Sequence, residues 1–92
     1  MAKVKIPPVL RAQTGGESVV EVEGEDVGPV LRGLADAHPG VSGQIFDDAG
    51  ELNRYVNVYL NDEDVRFLGG LAAEVADGDA VTILPAVAGG GS

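Results

Sequence analysis

An α+β fold, with one mixed sheet and a single main helix packed across it, is predicted by three observations. Stretches near both ends and in the middle of the chain alternate apolar with polar residues, the period of a half-buried strand. Only one segment, starting near residue 27, repeats its apolar residues at helical spacing. The 92 residues, 45% of them apolar, make one domain that buries roughly two-thirds of its surface.

In chain order, AKVKIP puts Val4 and Ile6 on one face and Lys3 and Lys5 on the other, a first strand. QTGGES supplies turn residues, and SVVEVEG resumes strand composition, so the two runs read as a hairpin. Asp26 then stands as an N-cap and Pro29 falls in a first helical turn, where a missing N–H costs little. Val27, Val30, Leu31 and Leu34 form the apolar stripe, and HPG at 38–40 ends it. VSGQIFDDAGELN reads as a loop anchored by Ile45 and Phe46. RYVNVYLN is the clearest strand, with Val56, Val58 and Leu60 opposed to Tyr55, Asn57 and Tyr59. NDED reads as an acidic turn, VRF as a short extended piece, and GGLAAEVADGD as a loop around a short helical turn. DAVTILP closes the order as a last strand.

A helix and a one-sided sheet must cover each other's apolar faces. The order β-β-α-β-(β)-β then favours the β-grasp, or ubiquitin-like, topology, with the first and last strands parallel neighbours in mid-sheet. A ferredoxin-like split βαβ needs a second full helix, for which LAAEVA is too short. The domain is expected over residues 1–85, with 86–92 a Gly-rich tail.

Composition removes several function classes. The chain has no cysteine, hence no disulfide or thiol chemistry, and its single histidine, His38, leaves little from which to build a zinc site. A net charge of −9 repels phosphate backbones, so no nucleic-acid partner is expected. MAKVKIPP is too short and charged for a signal peptide, and no apolar run approaches the ~20 residues of a membrane span, so a cytoplasmic protein is expected. When free it should be a monomer.

Side chains offer no catalytic constellation. Asp47 with Asp48, and Asp62, Glu63 and Asp64, are the carboxylate groupings; adjacent acids in a turn are more often solvated than tuned for acid–base work. NDED lacks calcium-loop spacing. His38 has no partner of catalytic type, and its place at a helix C-terminus accounts for it. Gly15-Gly16 and Gly69-Gly70 lack the Lys-Ser/Thr of a phosphate loop, and turns explain them.

What remains is the main chain's end, PAVAGGGS at 85–92. Either it is a frayed or appended linker, or Ala86, Val87, Ala88 and Gly89 form a thin arm able to thread another protein and present a carboxylate there. Such an arm reaches at most ~17 Å from Pro85 to Gly90.

From VNVYLNDEDVRFLGG through DGDAVTILPAVAGG, and in KIPPVLRAQTGG, the chain resembles the MoaD/ThiS-type small sulfur carriers. Within that family it resembles the actinobacterial branch serving cysteine synthesis. The resemblance covers nearly the whole chain and implies a β-grasp body that catalyses nothing and binds no cofactor. It implies an E1-like enzyme that uses ATP to adenylate the terminal glycine carboxylate, a sulfur donor that leaves a thiocarboxylate, and a sulfur-acceptor synthase. The reactive terminus falls at Gly90, or at Gly91 if the register shifts. Gly91 and Ser92 are then either native residues that a C-terminal trimming metallopeptidase removes, or appended ones.

The last strand points to docking. Val81 and Ile83 should face the helix, turning Thr82 and Leu84 outward beside Asn57 and Tyr59, so Tyr59, Leu84 and Pro85 form an expected partner patch. Two rivals remain: a ubiquitin-like modifier joined to lysines through the same glycine, and a plain acidic binding module.

Overall fold

A computed structural model describes residues 1–85. Five strands, β1 (Ala2–Lys5), β2 (Val19–Val22), β3 (Val56–Leu60), β4 (Glu63–Asp64) and β5 (Ala80–Pro85), form one sheet in the order β2-β1-β5-β3-β4. β1 and β5 lie parallel at its centre, with Val4 opposite Val81, and the other pairs are antiparallel. Helix α1 (Val27–Ala37) presents Val27, Val30, Leu31 and Leu34, all fully buried, to the sheet's apolar face. That face comprises Ala2, Val4, Val56, Val58, Val81 and Ile83. Burying an aliphatic side chain of this size contributes about 1.5–3 kcal/mol, so the alternating strands and the helical stripe account for one another. Gly33 lets α1 approach β2 closely, since a β-carbon there would lie 2.7 Å from Val22 Cγ1.

Local chemistry decides where the strands stop. β1 is followed by Pro7 and Pro8, neither of which can donate to a ladder. The connection to β2 holds more than the expected turn residues: a 3-10 helix spans Pro8–Thr14 and is capped by Gly15 at φ 67°. The buried Thr14 hydroxyl lies 3.2 Å and 3.0 Å from the carbonyl oxygens of Arg11 and Glu17 and shares its one proton between them. Between β3 and β4, Asn61 and Asp62 have φ of 50° and 77°, the paired positive values of a two-residue hairpin, which Asn and Asp tolerate best after glycine.

Three expectations are corrected. Asp26 occupies the N-cap position with extended backbone, but its carboxylate makes no capping bond. A cap accepts from the second or third helical N–H, and the third residue, Pro29, has none; the Val27 N–H, at the first position, donates to the Ala73 carbonyl (2.9 Å). VRF is not extended: Val65–Phe67 is a 3-10 turn, because Asp64 Oδ1 accepts the Arg66 N–H (2.9 Å) and the apolar pull on Val65 buries it completely. The fourth strand is Glu63–Asp64, inside the expected acidic turn. Finally, the stretch read as a loop from Val41 contains a one-turn helix, α2 (Ser42–Ile45). Ile45 is fully buried, as an anchor should be, and Phe46 is half-buried with the Arg32 guanidinium 6.0 Å from its ring.

Candidate functional site

Alternation along β5 sets the site. Ile83 is 1% exposed, while its neighbour Leu84 is 44% exposed on the open sheet face. In register with β3, Leu84 faces Asn57 and Thr82 faces Tyr59, so Tyr59 and Leu84 are diagonal neighbours on that face. The register thus brings Tyr59 and Leu84 of the expected patch onto one face, while Pro85, the last strand residue, stands opposite Val56. Ala86, Val87, Ala88, Gly89, Gly90 and Gly91 lie outside the described residues.

The Asn61 N–H donates to the Ala80 carbonyl (2.9 Å), so hydrogen-bonded pairs recur every second residue and Val56 with Pro85 is a non-bonded pair. Pro85 therefore withholds nothing from β3. Val56 turns its own polar groups toward the other side, beyond the two-residue β4. There the Asn53 carbonyl accepts the Val56 N–H (3.0 Å), and Arg66 Nη2 donates to the Val56 carbonyl (2.8 Å). Arg66 Nη1 donates to Asn57 Oδ1 (2.7 Å) and lies 3.7 Å from Asp64 Oδ2. The arginine thus continues the ladder where β4 has given way to a turn.

Other cations gather at the same end. Arg11 Nε donates to the carbonyl of Ile6 (3.2 Å), the residue that follows β1. The Arg54 guanidinium sits 5.8 Å from the ring centroid of Tyr55, which is exposed. Beside them a cleft of about 340 Å³ is lined by Val9, Leu10, Gln13, Gln44, Tyr55 and Val56, with no charged residue among its walls.

The opposite end of β5 is acidic and tied down. The N-terminal amine pairs with Asp77, and the Gly78 N–H donates to the Met1 carbonyl (2.9 Å). That pairing holds the Asp77 carboxyl below its ordinary value and raises the amine. The Asn61 side chain, then the Ala76 N–H, keep Asp79 below its ordinary value. Glu25, Asp26, Glu74 and Asp79 line a shallow acidic hollow nearby.

The remaining candidates serve structure. Asp47 Oδ1 accepts the N–H groups of Ala49 (2.9 Å) and Glu51 (3.0 Å), closing a turn. Gly15, Gly16, Gly69 and Gly70 all have positive φ, as turns require. His38 occupies the C-cap of α1. Among the described residues no group of three or more metal-ligating side chains comes together. Arg66 was not legible as a site residue, because its partners Val56 and Asn57 lie ten and nine positions away and only the hairpin turn delivers it to them.

A mixed five-stranded sheet with a central parallel pair and one helix across it defines the β-grasp, ubiquitin-like class. Residues 4–90 match the ThiS family, and the chain belongs to that family. It is 53% identical over 89 residues to the sulfur carrier protein CysO of Mycobacterium tuberculosis (strain ATCC 25618 / H37Rv), covering 95% of this chain and 96% of that one. The small archaeal modifier protein 3 of Haloferax volcanii is 45% identical over 64 residues, covering 70% of this chain and 68% of the relative. Among solved structures, the BexX/CysO complex of Amycolatopsis orientalis superposes with a TM-score of 0.90 at 50% identity, covering 98% of this chain and 100% of its counterpart. Mycobacterium tuberculosis CysO superposes with a TM-score of 0.87 at 49% identity, covering 95% and 100%.

Proposed function

We infer that this chain is a sulfur carrier whose working group is the main-chain acyl end of Gly90. The β-grasp body acts as an inert handle and catalyses nothing. The observation that carries the reading is that the family match begins at residue 4 and ends on Gly90, so it takes in the thin PAVAGG arm together with the body.

The chemistry needs activation because a carboxylate is a poor electrophile. An E1-like enzyme uses ATP: the Gly90 carboxylate attacks the α-phosphorus, pyrophosphate leaves, and an acyl adenylate forms. Sulfur from a donor attacks the acyl carbon, AMP leaves, and one terminal oxygen has been replaced by sulfur. The resulting thiocarboxylate is a strong nucleophile toward an acceptor on a second enzyme. By likeness to CysO the acceptor pathway is cysteine biosynthesis. The chain itself binds no cofactor; ATP belongs to the activating enzyme. Small alanines and glycines keep the arm slender enough to thread a tunnel, and glycine allows the closest approach of backbone to nucleotide. Tyr59, Leu84 and Pro85 form the docking patch at the arm's root. With Gly91 and Ser92 attached no terminal Gly90 carboxylate exists, so where these two residues are native a trimming metallopeptidase precedes activation. Cytoplasmic biosynthesis is the setting of this reading, and among the described residues no helix is long and apolar enough to cross a membrane.

The test is intact mass and AMP transfer. Protein ending at Gly90, given ATP, its cognate activating enzyme and a sulfide source, should gain about 16 Da at its terminus, oxygen exchanged for sulfur, while protein ending at Ser92 should gain nothing. The likeness to the Haloferax modifier makes isopeptide ladders on target lysines the signature of the rival modifier use. Failure of the Gly90 form to take AMP would refute the carrier reading.

A further inference from the structure

We propose that the uncharged cleft between the Pro8–Thr14 helix and residues 53–56 is the resting seat of the chain's own arm, with Val87 lodged in it, so that the arm must leave the body before it is threaded. The seat is a property of this chain alone; its consequence for adenylation rests on the carrier reading above.

The arm starts at the cleft's edge. β5 lies between β1 and β3, parallel to the first and antiparallel to the second. The chain beyond β1 therefore winds into the Pro8–Thr14 helix at the same end of the sheet where β5 finishes and β3 begins. Those two flanking segments form the cleft's walls, Val9, Leu10 and Gln13 on one side and Asn53 and Val56 on the other, together with Gln44 of α2. Pro85 is the strand partner of Val56, so the seven residues 86–92 begin one interstrand spacing, about 5 Å, from a wall residue.

Alternation then selects Val87. Ile83 points into the core and Leu84 away from it, and at the same period Val87 falls on the side of Ile83. The cleft opens on that side, because Leu10 and Val56, which line it, are core residues only 5% and 4% exposed. Val87 lies two residues past Pro85, a reach of about 7 Å.

The cleft's chemistry suits this occupant. Val9 is 69% exposed beside the buried Leu10 and Val56, so an added aliphatic side chain finds apolar atoms to meet. The polar lining consists of amides, which both donate and accept, and AVAGGG offers little besides its own N–H and C=O groups. Asn53 already spends Oδ1 on the Tyr55 N–H (3.0 Å) and keeps its NH2. No side chain of AVAGGG is charged and no cleft residue is either, so seating strips water from no ion. A tethered occupant is also present at an effective concentration of about millimolar, ahead of a second copy or an unattached partner. A seated arm cannot enter a tunnel. Occupancy of about two-thirds leaves about a third of the chains competent and weakens apparent affinity for the activating enzyme about threefold.

The experiment is NMR on isotope-labelled chain ending at Ser92. Nuclear Overhauser contacts should join the Val87 methyls to those of Val9 or Leu10, equally at high and low protein concentration. Val87→Asp should shift the side-chain amide signals of Gln13 and Gln44. In chain ending at Gly90, Val9→Gln, a change at an exposed position, should lower KM for the activating enzyme about threefold with kcat unchanged. Absence of the contacts, with Gln13 and Gln44 signals identical in Val87→Asp, overturns the seat. Contacts that fade on dilution belong to a second copy's arm and overturn it as well. A KM that stays level or rises in Val9→Gln shows that the cleft does not hold the arm back, or that it meets the enzyme itself, and overturns the resting role. Wild-type chain ending at Gly90 that takes no AMP refutes the carrier reading, while the NMR result still decides the seat.

Discussion

Ile83 and Leu84 are consecutive residues of one strand, and the sheet gives them opposite tasks. Ile83 is sealed beneath α1 with Val58 opposite it; Leu84 lies on the open face against Asn57, 44% exposed. The covered face is uniformly aliphatic. The open face mixes Lys3, Lys5, Thr82, Asn57, Tyr59 and Leu84. Under the proposed docking on the open face, such a division places stability on one side of the sheet and partner contacts on the other, so that either can change without the other.

Substitutions should separate the two faces. Ile83→Ala opens a cavity beneath α1 and should cost about 2–5 kcal/mol of stability, read as a lowered urea midpoint, while the folded fraction still accepts AMP at its normal rate. Gly90→Ala, in chain ending at that residue, should leave the urea midpoint unchanged but slow adenylation on the order of 100-fold, since a β-carbon displaces the acyl carbon from its nucleotide. Normal AMP transfer in that variant would remove the reason for a thin arm. Leu84→Asp should weaken association with the activating enzyme about tenfold, near 1.4 kcal/mol, with an unaltered thermal midpoint. If it unfolds the protein instead, the open face is not independent of the core.

A smaller effect concerns acid. Asp79 is held below its ordinary value in the folded chain, so in acid the unfolded chain binds more protons there. Its contribution is present above that ordinary value and is lost as the pH falls through the folded one. Wild type should therefore lose more stability than Asp79→Asn between neutral pH and about pH 3, compared by urea midpoints. Equal losses would show that the acidic end of β5 is not anchored through this carboxylate.

Much of the body was legible because its signals are periodic. Val56, Val58 and Leu60 alternate over a whole strand, and Val27, Val30, Leu31 and Leu34 share a helical stripe, so burial confirmed both faces residue by residue. The short pieces were not legible. VRF has strand composition, yet one bond from Asp64 Oδ1 to the Arg66 N–H and the burial of Val65 wind it into a 3-10 turn. Asp26 has the residue type of a cap, but the third helical residue is Pro29, which has no N–H to offer it. For VRF a strand preference of about 1 kcal/mol was outweighed by one neighbouring side-chain bond and the burial of Val65, and for Asp26 the chain itself lacks a donor at the third helical position.

The amino-acid order alone determined most of the element sequence, the identity of the core faces and the outward turn of Leu84, since these follow from alternation and helical period. Tertiary structure decided where the charges stand. Arg66 reaches the Val56 carbonyl only because a two-residue turn folds β4 back on β3 and then stops it short, and Glu25, Asp26, Glu74 and Asp79 meet in one hollow only because separate loops are brought to the same end of the sheet. Periodicity is written within a few residues, whereas the meeting of distant groups depends on the pairing of whole strands.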